Sequence, residues 1–535
     1  TGPTPSADGR TRHEGGELTG ERWAEGTHIV AGTIDVRRGV LEIQGCTRVL
    51  MERGARFTVS EGGSLRVVGR ADCKVTFEPL DASGGPGTWG MIALYATAGS
   101  NEIRHAHFRK GGESDATIWV DTNGRLTMTD SIVEESGSRG LMVQGNAQLG
   151  EVARNTFRNN ASYGVEIGAD TVGRLGEGTY GPNQVEGIHV VEGRVSRDAT
   201  WRALGAPYLL ESGLEVTHDA STATLTIAAG ASLRFNTDTR LSVAARGALR
   251  VEGSQQAPVT LGSSSPAPAP GSWQGVQIYG DSQRERTRLS WTVIEHAGTN
   301  EGAIWIGEDA RVTIDHTTVR GSQGPGLYVA DGGQLARFEG NTITGGRDVV
   351  MSLAPNAVGA IGNGNYTGNA RDVIVVRSGR ADADATWRSL GIPYVIAGLE
   401  IAADEGRSAR VTVAAGATLR IEGESVPRVG ARGALILDGT EQAHVTVTSA
   451  SPTPINGAWG QLEVHGDSIG GATIFRWTDF RFGGSGEYGQ LWLGDGARAR
   501  LEHVTFANAG HGCDLWVSES ATLEMDQTVA ARCGQ

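Results

Sequence analysis

Short alternating runs recur along the whole chain. Apolar residues take every second position over three to six residues, as in LTIAAGASLRF and LSVAARGALRV, and Gly, Asn, Asp or Ser follow. Period-two alternation of this length predicts half-buried strands. No amphipathic helix longer than about one turn is predicted, the DATWRALG junctions coming nearest. The runs keep a beat. HAHF, DSIV and RNTF end at Phe108, Val133 and Phe157, and WTVI, HTTV and GNTI end at Ile294, Val319 and Ile343, with steps of 25 and 24 in both series. An antiparallel sandwich would space its strands by about 8–12 residues and join them with Asn-Gly or Asp-Gly hairpins. A persistent 24-residue period predicts an all-β chain, a right-handed parallel β-helix in which each coil of two or three strands pairs with its neighbours. About 21 such coils at ~4.8 Å each would make one elongated β-solenoid on the order of 100 Å long.

A longer repeat overlies the coils. WRALGAPYLLESGLEV at 201 matches WRSLGIPYVIAGLEI at 387, and RGALRVEGSQQAPVTLGSSS matches RGALILDGTEQAHVTVTSAS. Trp23, Trp201 and Trp387 open three copies, and Trp89, Trp273 and Trp459 recur within them. Both sets sit at junctions and turns and are expected to be structural. The implied organisation is a polar leader or tether over 1–22, then modules over 23–200, 201–386 and 387–535, the last truncated.

Composition sharpens this picture. Gly supplies 80 of 535 residues, against a usual share of about 7%. With no G-X-Y period, it is expected at tight corners that need a positive φ, alongside Asn. A net charge of −14, with Lys74 and Lys110 the only lysines, argues against a nucleic-acid partner, whose phosphates need basic patches. No apolar run approaches the roughly 18 residues of a transmembrane segment. The four cysteines fall in two pairs, Cys46 with Cys73 and Cys513 with Cys533. Stacked coils would bring each pair within disulfide reach. Disulfides imply an oxidising, extracytoplasmic compartment.

The pattern LTIAAGASLRF…LSVAARGALRVEGSQQAPVTLGSS…GSWQGVQI recurs in all three copies. It resembles the repeat unit of secreted bacterial right-handed parallel β-helix proteins of the pectin-lyase-like superfold, with no specific enzyme family matched. The resemblance implies a bacterial protein, secreted or at the cell surface. It leaves activity open, because members include polysaccharide lyases, hydrolases, adhesins and tailspikes. Hydrolases of the superfold cluster Asn-Thr-Asp, Asp-Asp, Gly-His-Gly and Arg-x-Lys motifs. Here Asn236-Thr237-Asp238 and Gly510-His511-Gly512 are far apart, and neither Asp-Asp nor Arg-x-Lys occurs. No catalytic residue is assigned. No cofactor is expected, and the HAH pair, His105 and His107, is not taken as a metal site.

Strand alternation assigns directions. In IWI both Ile face inward and Trp305 outward; the same rule turns out Trp119, Tyr328, Trp492 and Trp516. A second outward column holds His105, Trp291, His316, Trp477 and His503. Aromatic residues in register on an exterior usually mark contact. The expectation is a non-enzymatic β-helix surface protein with a structural, adhesive or matrix role. Its partner would be a polysaccharide or cell-envelope component, met through Trp119, Trp305, Tyr328, Trp492 and Trp516, or neighbouring copies of itself. Two alternatives remain at this stage: a carbohydrate-active enzyme on the same scaffold, and a self-assembling fibre subunit.

Overall fold

Columns of inward Val, Ile, Leu and Phe organise the chain in the computed structural model, which describes residues 4–5, 9–97, 99–283 and 286–533. Two compact units result: residues up to Thr239 with Leu249–Pro266, and Arg240–Ala248 with the chain from Ala267 onward. Both are built as parallel β-solenoids.

In the first unit the strands Ile92–Thr97, Ala116–Val120, Arg139–Val143, Val165–Gly168, Ile188–Val191 and Tyr208–Leu210 pair in parallel, each with the next. A second face is formed by Glu102–Arg104, Arg125–Thr129 and Gln148–Ala153. A third is formed by Ala106–Arg109, Ile132–Glu134 and Asn155–Arg158. Phe108, Val133 and Phe157 lie in register on that third face, and Ile294, Val319 and Ile343 do the same in the second unit. The 24-residue beat is therefore the length of one coil.

Two features lock successive coils. The first is aromatic packing inside. Phe57, Phe77 and Phe108 are fully buried, with ring centroids 5.9 Å and then 4.7 Å apart. Trp23, Trp201, Trp387, Trp89, Trp273 and Trp459 are buried too. The indoles of Trp89, Trp273 and Trp459 each donate to a backbone carbonyl, of Arg109, Glu295 and Arg481, at 2.7, 2.8 and 2.8 Å. The second is buried asparagine. Asn155 accepts from the Ser131 N–H (3.0 Å) and donates to the Met128 carbonyl (2.7 Å), satisfying two backbone groups of the preceding coil. Asn341 does the same with Thr317 and Ile314. These are the asparagines of the RNTF and GNTI motifs.

The glycine expectation holds at many corners, as at Gly340 with φ 67°, and Asn takes others, such as Asn123 at 62°. Several bends between consecutive strands are held instead by His105, Trp291, His316, Trp477 and His503, with φ between 42° and 54°, a conformation uncommon outside Gly, Asn and Asp. Glycine is needed one coil earlier. A Cβ on Gly69 would lie 2.1 Å from the His105 carbonyl oxygen, and one on Gly439 would lie 2.2 Å from that of Trp477. The left-handed bend drives its carbonyl into the neighbouring coil, where only a hydrogen fits.

Residues 11–22 also depart from the expected leader. Thr11–His13 pairs with Gly26–Val30, and Gly16–Leu18 and Glu21–Trp23 pair with Thr33–Gln44. Burial explains this: His13 stacks on Trp23 at 4.1 Å and contacts His28 Nδ1 through its Nε2 at 3.0 Å. Residues 1–3 and 6–8 of that segment lie outside the described residues.

Both expected disulfides are formed, Cys46–Cys73 and Cys513–Cys533, each with a Cα separation of 4.9 Å. Among the described residues, no helix is long and apolar enough to cross a membrane.

Candidate functional site

Alternation places the singled-out aromatics on the outside of the sheet, and parallel register then stacks them. Trp119 follows Ala93 and precedes Met142. Trp305 lies between Gln277 and Tyr328. Trp492 lies between Glu463 and Trp516. All five expected residues, Trp119, Trp305, Tyr328, Trp492 and Trp516, are half-buried with one side outward.

The three sets differ in what surrounds them. Tyr95 meets Trp119 edge-on at 5.2 Å, and the next residue in the column is an aliphatic Met142. Tyr279 tilts against Trp305 at 5.1 Å. The Tyr328 ring is covered by the Arg377 guanidinium, 4.4 Å above its centroid and bonded to its hydroxyl. Trp492 and Trp516 are nearly parallel, 9° apart with centroids at 5.6 Å, and the exposed Tyr488 stands edge-on to Trp516. Of the three columns, this one stacks two indoles on adjacent coils.

A glycine two residues on sets the tilt of two rings. The Trp305 indole lies over Gly307 and the Trp492 indole over Gly494, so close that a Cβ would meet each ring at 2.5 and 2.3 Å. The sequences IWIG and LWLG carry this signal; IWVD around Trp119 lacks it.

The second column assembles in the second unit. Trp291 stacks on His316 at 4.4 Å and 9°, and Trp477 on His503 at 4.0 Å and 8°. These rings stand at the left-handed bends, and backbone strain of that kind is retained where surrounding structure or function requires it. His107, the partner of His105 in HAH, instead contacts Glu134 Oε1 at 2.8 Å.

One polar cluster escaped the sequence reading. His189 lies between two carboxylates, Glu166 (2.9 Å) and Glu211 (3.0 Å), with Tyr163 stacked on its ring at 4.3 Å. Arg139 donates to Glu166 at 2.9 Å. Burial raises the Glu166 pKa, but hydrogen bonds from His189 and Arg139 outweigh it and hold the carboxyl below its ordinary value. Both ring nitrogens of His189 are thus engaged. The signal was present in VEIG and IHVV, which carry Glu166 and His189 where the second module carries Ser352 and Val375, but residues 23 apart reveal no pairing until the coils are stacked. The Asn236-Thr237-Asp238 string is a reverse turn, its Asn236 carbonyl accepting from both the N–H and the hydroxyl of Thr239.

Comparison with known proteins agrees with this architecture. Residues 193–303 match the family model of the pectate-lyase-like β-helix domain. No curated protein matches the chain. The match and the solenoid together identify a parallel β-helix protein without attaching it to any one enzyme family.

Proposed function

We propose that this chain is an extracytoplasmic, non-enzymatic β-helix protein of the cell surface or matrix, which binds a polysaccharide or envelope component through its outward aromatic ladders. The observation that carries this reading is the Trp492–Trp516 pair, two parallel indoles one coil apart on the outside of a sheet. Two stacked indoles make an apolar patch at the spacing of a solenoid coil, a surface suited to the C–H groups of a sugar chain. Trp119 and Trp305 add single half-buried rings, so weak single contacts sum to useful avidity. The two disulfides support an oxidising compartment.

The test is binding of the whole chain to immobilised glycans and envelope fractions, wild type beside a Trp492→Ala/Trp516→Ala variant. We expect the variant to lose about tenfold or more in apparent affinity, a cost of about 1.4 kcal/mol. Equal binding by both proteins, or none by either, rejects the aromatic face.

A second reading has its own support. The pectate-lyase-like match and the Glu166–His189–Glu211 relay are compatible with a carbohydrate-active enzyme on the same scaffold. It requires release of oligosaccharide products by the wild type and loss of that release in His189→Ala.

A further inference from the structure

Beyond the aromatic ladders, the first unit carries a polar cleft of about 350 Å³ at the ends of the strands Arg139–Val143, Val165–Gly168 and Ile188–Val191. This lies at the lower end of the roughly 300–1,000 Å³ typical of small-ligand sites. Its floor is made by the absence of side chains. A Cβ at Gly145 would stand 2.8 Å from the Glu192 carboxylate, and one at Gly168 would stand 3.4 Å from it. Glu192 therefore lies in a slot opened by two stacked glycines.

The other polar groups are fixed in place. Asp170 accepts from the Ser196 N–H (2.6 Å) and hydroxyl (2.5 Å). Arg194 donates to Asp219 at 2.9 Å. His218 Nδ1 accepts the backbone N–H groups of Ala220 and Ser221 at 2.9 and 2.8 Å, which puts the ring proton on Nε2. Oriented acceptors and donors thus line one concavity.

The second unit repeats these coils and serves as an internal control. There the pairs that hold the scaffold persist: Arg380 with Asp404 at 3.0 Å, and Asn356 with Asp382 at 2.8 and 3.0 Å. The cleft residues do not. Gly145 is replaced by Asp331, Gly168 by Ala354, Glu192 by Ser378 and His218 by Ala403. Arg377, at the place of Val191, extends to Asp331 (3.1 Å) and the Val329 carbonyl (2.7 Å). The coil thus folds with either set, and the two glycines, Glu192 and His218 are extra to what the scaffold needs.

We infer that this cleft is a saccharide subsite that takes a short, carboxylate-free glycan unit, neutral or amino-substituted. Sugar hydroxyls both donate and accept, as the lining demands. Glu192, Asp170 and Asp219 outnumber Arg194, so a uronate is repelled and a cationic amine is favoured. The site shares no residue with the aromatic ladders.

Saturation-transfer NMR on the full chain tests this with three probes: cellobiose, the disaccharide of chitosan, and digalacturonate. The two carboxylate-free probes are expected to bind, and digalacturonate to bind about tenfold more weakly or not at all. Gly145→Asp, the residue of the second unit, should reduce binding about tenfold with an unchanged circular dichroism spectrum. Should that variant misfold, the isosteric Glu192→Gln should weaken the amino sugar more than cellobiose. Trp492→Ala/Trp516→Ala should leave binding of these disaccharides intact, which separates this site from the aromatic face. Absence of signal from both carboxylate-free probes, equal binding of digalacturonate, or indifference to both cleft variants overturns the assignment.

Discussion

Single residues carry opposite roles in this fold depending on the coil below them. Gly69 and Gly439 face a carbonyl so close that a methyl group cannot be added, whereas Gly205 and Gly391 have positive φ and open space around them. Gly69→Ala or Gly439→Ala should therefore cost about 2–3 kcal/mol through overpacking. Gly205→Ala and Gly391→Ala should cost only about 1 kcal/mol, from backbone strain alone. Urea denaturation of the four variants checks this, and equal costs would refute the close-approach argument. The His13–Trp23–His28 stack adds a pH dependence. Burial, followed by the neighbouring His28, lowers the His13 pKa from 6.5 to about 4. Burial likewise lowers that of His28, opposed by the Ala24 carbonyl and Glu21. Between these values the unfolded segment binds more protons than the folded one. The contribution to stability is full above pH 6.5 and is lost as pH falls toward 4. Hydrogen exchange in Gly26–Val30, corrected for intrinsic rates, should show the decline, and His13→Phe should flatten it. None of this was legible beforehand, because the residues that meet are set by coil stacking. The polar composition of residues 1–22 pointed to a tether, while the three rings that bury that segment lie 5 to 15 positions apart.

Strands and turns were the most legible level. The endings at Phe108, Val133 and Phe157 became neighbouring rungs because a parallel sheet repeats only when coil length repeats. The same regularity brought Cys46 to Cys73, and Cys513 to Cys533, across adjacent coils. The first closes a loop of 27 residues. Removing it by Cys46→Ser/Cys73→Ser should cost about 3 kcal/mol, with the loss confined to the early coils. A protease-nicking assay under mild urea measures it, and an unchanged cleavage rate would show that neighbouring strands alone hold this edge. The bend type was less legible. Alternation located each bend but could not show that Trp and His, rather than Gly or Asn, would take the left-handed position; that choice rests on ring stacking between coils, as at Trp477 and His503.

For the whole chain, repetition explains both what could be read and what could not. The same module written more than once reveals itself through its invariants: buried Trp89, Trp273 and Trp459 with their matching hydrogen bonds, and the inward aliphatic columns. Other positions differ between the copies, and a difference acquires meaning only with its neighbours. Arg377 over Tyr328, His189 between Glu166 and Glu211, and Glu192 above Gly145 and Gly168 each join residues from separate coils. The sequence by itself determined the all-β class, the parallel coil, its length, the outward direction of the aromatic residues and the cysteine pairing. All of these follow from periods of two and twenty-four. Only the tertiary structure decided which outward rings are covered, which polar residues neutralise one another and where a cleft opens. Those outcomes depend on side-chain distances of a few ångströms between coils, which a period along the chain does not encode.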